Sequence, residues 1–186
     1  MKILLLSLGT LGAALSSTPA LAGDAECVWN HLPPAARQFV FAAYERGGAD
    51  ALDQAQIEDT AVVASFRACT RNPSATPSSA IGPALVGVSL EHAAMNHLKV
   101  AEGVKPARLE QAWRGLTPQE QESLRAAYLA PNADIPKAVF TALDKAVELA
   151  GYKLAPGAHV IGDARYKHYA EYFEGRAQKE AYEQRF

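Results

Sequence analysis

From Pro83 to Glu102 the sequence is apolar nearly all the way round a helix, with Leu85, Val86, Val88, Leu90, Met95 and Leu98 pointing in every direction. A helix with no polar face is normally buried. The segment therefore needs other elements packed around it. Those elements read as helices. No stretch alternates apolar and polar positions over several β-branched residues, as a half-buried strand would.

Helix punctuation recurs along the chain. Pro34 suits a first turn, where its missing N–H costs nothing. Ala36, Phe39, Val40, Ala43 and Tyr44 then share a face, and Gly47-Gly48 ends the helix. Asp50 is placed to cap the next helix, along which Leu52, Ala55, Val62, Phe66 and Cys69 follow at near-heptad spacing. Pro73 and Pro77 among serines mark a loop. Pro106 opens a short helix through Trp113, and Thr117-Pro118-Gln119-Glu120 reads as a capping box. Asp134 precedes a helix carrying Val139, Phe140, Leu143, Val147 and Ala150, ended by Gly151. The last helix begins near Asp163.

The chain also repeats itself at an offset of 84 residues. Trp29, Leu32 and Pro34 fall on Trp113, Leu116 and Pro118, and Ala42-Ala43-Tyr44 falls on Ala126-Ala127-Tyr128. Glu26 falls on Glu110, and Ala49-Asp50 on Ala133-Asp134. That makes 9 identities in 25 ungapped positions, and alanine richness cannot produce the matching Trp, Tyr and Pro. The expected architecture is all-α: a helical bundle of two duplicated helical hairpins, at about residues 26–72 and 110–154, around the apolar central helix.

The N-terminus sets the expected compartment. Lys2 is the only charge in residues 1–22, and Ile3 to Leu15 is apolar. That stretch falls short of the about 20 residues a membrane span requires. It leads to Ala20-Leu21-Ala22, the small-x-small pattern of a signal-peptide cleavage site. Residues 1–22 are read as a signal peptide and 23–186 as one all-α domain, periplasmic or secreted, with no membrane span after cleavage. The mature chain carries 17 Lys+Arg against 20 Asp+Glu, a net −3. No basic excess invites nucleic acid. Cys27 and Cys69 form an even pair in an exported chain, which predicts a disulfide. A hairpin would set them side by side, because one lies just before its first helix and the other at the end of its second.

The motifs that carry familiar chemistry are missing. There is no Cys-x-x-Cys pair, haem-attachment site, His-Glu-x-x-His, P-loop, EF-hand loop or nucleophile elbow, so no cofactor is expected. The candidate ligand-binding residues are Glu91, His92, Asn96 and His97 on the apolar helix. At 100° per residue His92 and Asn96 point together, whereas Glu91 and His97 diverge to either side. One helix cannot gather all four, and a metal site would need ligands from other helices. His168 and Glu171, three apart on the last helix, are the candidate metal pair, with an exposed helical pair as the plainer reading. Trp29 and Trp113 occupy matching repeat positions and read as core anchors, or as the walls of a cleft between the units. The aromatic run Tyr166, Tyr169, Tyr172, Phe173, Tyr182 and Phe186 reads as a packing stripe or a docking surface.

Leu116-Thr117-Pro118-Gln119-Glu120-Gln121 resembles the Leu-Thr-x-x-Gln signature of periplasmic stress proteins of the Spy and CpxP group, with the glutamine one place late. The resemblance implies a helical chaperone or metal-stress accessory. It covers six residues, which the capping box also accounts for, and carries no membership.

Three functions remain. The first is an exported binding or interaction protein with a protein or small-molecule partner. The second is a metal-responsive or chaperone-like stress protein. The third is an enzyme with an unfamiliar site between the two units, lined by Glu91, His92 and Asn96.

Overall fold

The computed structural model describes residues 24–55, 57, 59–69, 81–129, 134–154 and 163–183. The expected signal peptide, His159 and Phe186 lie outside them. The described residues form helices α1 (Asp24–His31), α2 (Pro34–Gly47), α3 (Ala49–Asp53), α4 (Asp59–Cys69), α5 (Ile81–Glu102), α6 (Pro106–Arg114), α7 (Pro118–Leu129), α8 (Lys137–Leu149) and α9 (Ala164–Glu183), with no strand among them.

The local signals act much as their chemistry dictates. Pro34 and Pro106 open α2 and α6. Thr117 and Glu120 form the reciprocal capping box, with Thr117 N donating to Glu120 Oε2 at 2.7 Å and Glu120 N to Thr117 Oγ1 at 3.3 Å. Gly48 ends α2 at a φ of 67°, a conformation glycine adopts without steric cost. One expected cap does not form: Asp50 sits inside α3, whose cap is Gly48. Asp134 stands ahead of Pro136, which caps α8. The run from Leu52 to Cys69 is also not one helix. It breaks after Asp53 and resumes at Asp59.

The core centres on two helices. α5 is buried over Ala84, Val88, Ala94 and Leu98, as its sequence requires, and α9 crosses it with Phe173 and Ala177 fully buried. The crossing is close because glycines stand at it. A Cβ on Gly87 would lie 2.5 Å from the Lys179 backbone nitrogen, and one on Gly175 would lie 2.5 Å from that of Glu91. Around this pair, α1, α2 and α3 pack on α5, with α4 held against α1. On the other side α7 and α8 pack on α9, with α6 against α8. Cys27 and Cys69 join α1 to α4, their Cα atoms 5.9 Å apart. No described helix is long and apolar enough to cross a membrane.

Candidate functional site: an acidic groove and a histidine pair

A groove of about 980 Å³ lies between α3, α8 and α9. Its apolar wall includes Ile135, Phe140, Leu143 and Ala170. Phe140 belongs to the apolar stripe expected to face the core, yet it is 47% exposed, and Ile135 is 55% exposed. Both turn to the groove, while Ala142, Ala146 and Val147 on α8 face inward. Five carboxylates, Asp50, Asp144, Asp163, Glu171 and Glu174, line it against two lysines, Lys137 and Lys167.

The carboxylates are not equivalent. Asp144 Oδ1 accepts from the Tyr166 hydroxyl at 2.6 Å, and Asp163 accepts from the Tyr152 hydroxyl. Asp50 pairs with Lys167 at 3.4 Å. Glu171 is 3% exposed and saturated. Its Oε2 accepts from Tyr44 Oη at 2.5 Å, and its Oε1 accepts from Ala49 N at 2.9 Å. That carboxylate fastens the α2–α3 turn to α9. A Cβ on Gly48 would lie 2.7 Å from Glu171 Oε1, so the turn needs glycine for room as well as for φ. Glu174, one turn further along α9, has no hydrogen-bond partner among the described residues. Burial, then the adjacent Glu171 charge, raises its carboxyl above the ordinary range.

Behind Glu171 stands His168, 19% exposed at the side chain. The Tyr44 hydroxyl has one proton and gives it to Glu171. Its oxygen must therefore accept from His168 Nδ1, 2.7 Å away, which leaves His168 Nε2 without a proton. His97, on α5, directs Nδ1 to the Glu45 carboxylate at 3.0 Å. A carboxylate only accepts, so His97 likewise holds its proton on Nδ1. The two rings lie 3.9 Å apart between centroids. Burial, then His97, pushes the His168 imidazole below the usual histidine range.

The other sequence candidates are dispersed. Glu91 is buried at the α5–α9 crossing, where Arg176 Nη1 meets its Oε1 at 3.0 Å and Lys179 Nζ lies 2.5 Å from its Oε2. Arg176 also reaches Glu110 at 3.1 Å and Glu180 at 2.6 Å. His92 bonds Glu26 at 2.9 Å and stacks on Trp29 at 4.9 Å. Asn96 is half-buried on α5, outside these networks. Trp29 and Trp113 are 2% and 3% exposed, packed in the core rather than along the groove. Tyr169, Tyr172 and Phe173 are buried too, so that part of the aromatic run is packing, not a docking face. Cys27, His31 and Cys69 offer three donors within 4.8 Å of one another, but the disulfide consumes both thiolates.

Glu91, His92, Asn96 and His97 therefore do not form one site. His97 instead joins His168, an association that no spacing in the sequence reveals. Glu174 also escaped sequence reading, although it lies three residues past Glu171 on the same helix face. The chain matches no known protein family, no curated protein and no solved structure.

Proposed function

We propose that this is an exported helical binding protein, periplasmic or secreted, whose site is the α3–α8–α9 groove and whose ligand is an amine on an apolar body. The observation that carries the reading is Glu174, a half-buried carboxyl without a hydrogen-bond partner among the described residues, on the wall of an apolar-lined groove. An unpartnered polar group in such a place is costly unless a ligand completes it. The excess of five carboxylates over two lysines favours a cation. The volume lies within the range of about 300–1,000 Å³ typical of small-molecule sites. The signal-like residues 1–22 and the Cys27–Cys69 bridge support export.

The test is calorimetric titration of untagged mature protein with dodecylammonium below its micelle concentration, with dodecyl sulfate as the matched anion. One equivalent of the amine binds. Glu174→Gln weakens it by at least about tenfold, the scale of one hydrogen bond to a charged group. Equal binding of the anion, or an unchanged affinity in Glu174→Gln, would overturn the proposal.

The architecture is read as two duplicated units, with the offset of 84 continuing into α5 and α9. Support comes from a recurring contact: His92 to Glu26 at 2.9 Å on one side, Arg176 to Glu110 at 3.1 Å on the other, each residue 84 from its counterpart. On this reading the apolar α5 is no lone filler, because α9 is its counterpart.

A further inference from the structure

We propose that His97 and His168 form a two-histidine site for a divalent first-row transition ion. His97 and His168 sit on different helices, and both turn Nδ1 toward consecutive residues of α2, Glu45 and Tyr44. The two ring nitrogens of an imidazole point nearly opposite ways, so both Nε2 atoms point away from α2. Both residues line one recess of about 340 Å³, shared with Ala101, Glu102, Ala164 and Arg165. With its proton held on Nδ1, a neutral imidazole presents Nε2 as a bare acceptor, the form that binds metal.

The outer partners have the character of a metal site. A ligating histidine ordinarily gives its other N–H to a carboxylate or another acceptor, which fixes the ring and raises its basicity. His97 has Glu45 in that role. His168 has Tyr44, which is backed by the buried Glu171. Two metal–nitrogen bonds of about 2.0–2.1 Å at a tetrahedral angle set the nitrogens about 3.3 Å apart. On one such ion the ring centroids stand about 5 Å apart, so the two rings, now 3.9 Å apart between centroids, must open by about 1 Å to share it. Glu171 lies on the Nδ1 side of His168, its Oε2 3.5 Å from that nitrogen, so it positions the ring and does not ligate. Among the described residues no third His, Cys, Asp or Glu completes the set around the pair. The remaining coordination positions are open to water or to an added ligand. Imidazole donors suit zinc, nickel and copper, and divalent copper binds most tightly of these.

The experiment is titration of untagged mature protein with Cu(II), read by calorimetry and by electron paramagnetic resonance. One equivalent binds, with coupling to two imidazole nitrogens. His97→Gln or His168→Gln weakens it by at least tenfold and leaves one nitrogen, while His92→Gln leaves affinity and spectrum unchanged. Coupling to fewer than two imidazoles in the wild-type protein, or undiminished affinity in either variant, would overturn the site. Should a variant fail to fold, paramagnetic broadening of the His97 and His168 imidazole signals in the wild-type protein decides. Broadening elsewhere refutes the assignment. None of these outcomes depends on Glu174 or on the groove ligand.

Discussion

Gly87 and Gly175 meet where α5 crosses α9: a Cβ built on Gly87 would lie 2.8 Å from the Gly175 carbonyl oxygen, and one built on Gly175 would lie 2.7 Å from that of Gly87. Both obstacles are backbone, which cannot swing aside. Gly87→Ala or Gly175→Ala should therefore force the helices apart and cost about 3 kcal/mol, the upper part of the range for overpacking. Urea unfolding measures this. Gly82, in the first turn of the same helix, has nothing within 4 Å of its Cβ position. Gly82→Ala should leave the midpoint unchanged or raise it, because alanine is the better helix former.

The charges buried beside that crossing make a second prediction. Lys179 is 7% exposed and lies between Glu91 and Glu26. Lys179→Met keeps the length of the stem and removes the charge, leaving Glu91 with Arg176 alone. Breaking a buried pair by removing one partner costs about 3–5 kcal/mol. A loss near the bottom of that range is expected, because Arg176 remains. Val88→Asp, at a position that is 0% exposed on α5, should cost more than about 3 kcal/mol for the same reason. An unchanged urea midpoint in either variant would count against this packing.

The pH dependence of stability has two opposed parts. Burial alone would raise the Glu26 carboxyl, but the His92 hydrogen bond and the charges of His92 and Lys179 outweigh it and hold the pKa at about 2. A folded pKa below the unfolded 4.5 means stability that is present above 4.5 and lost as pH falls toward 2. Glu26→Gln should flatten the fall in Tm across that window. Glu174 has the opposite sign. Its folded pKa is raised, so its contribution is present below the unfolded value and lost as pH rises through the folded one. Glu174→Gln should raise Tm at pH 7 and leave it unchanged at pH 3. A Tm that falls at pH 7 would show that the carboxylate has a partner after all.

The Cys27–Cys69 bridge spans a sequence separation of 42. Closing a loop of that length restricts the unfolded chain by about 4 kcal/mol. Cys27→Ser with Cys69→Ser should lower the unfolding free energy by a comparable amount. Thiol counting on denatured, unreduced protein should find none free.

The sequence by itself determined the helical class, most of the helix starts and the burial of much of α5, although Val86, counted in its all-round apolar surface, is 46% exposed. Those depend on local chemistry: proline at a first turn, a glycine stop, the Thr117–Glu120 box and an all-round apolar surface. It also pointed to the Cys27–Cys69 pair through compartment, but not to its setting: Cys27 lies inside α1, the helix that packs on α4, rather than ahead of the first helix of a hairpin. It could not show that Phe140 leaves the core for a groove, because the amphipathic pattern of α8 does not say which neighbour its flank lacks. Nor could it separate His168 from a surface pair with Glu171. That distinction rests on Tyr44, 124 residues away in sequence, which takes the Glu171 oxygen and turns His168 toward His97. Local signals propagate over one helical turn. The ion cluster around Glu91 and the histidine pair both join α5 to α9, helices that Gly87 and Gly175 let approach closely, and tertiary structure alone decides which side chains then meet.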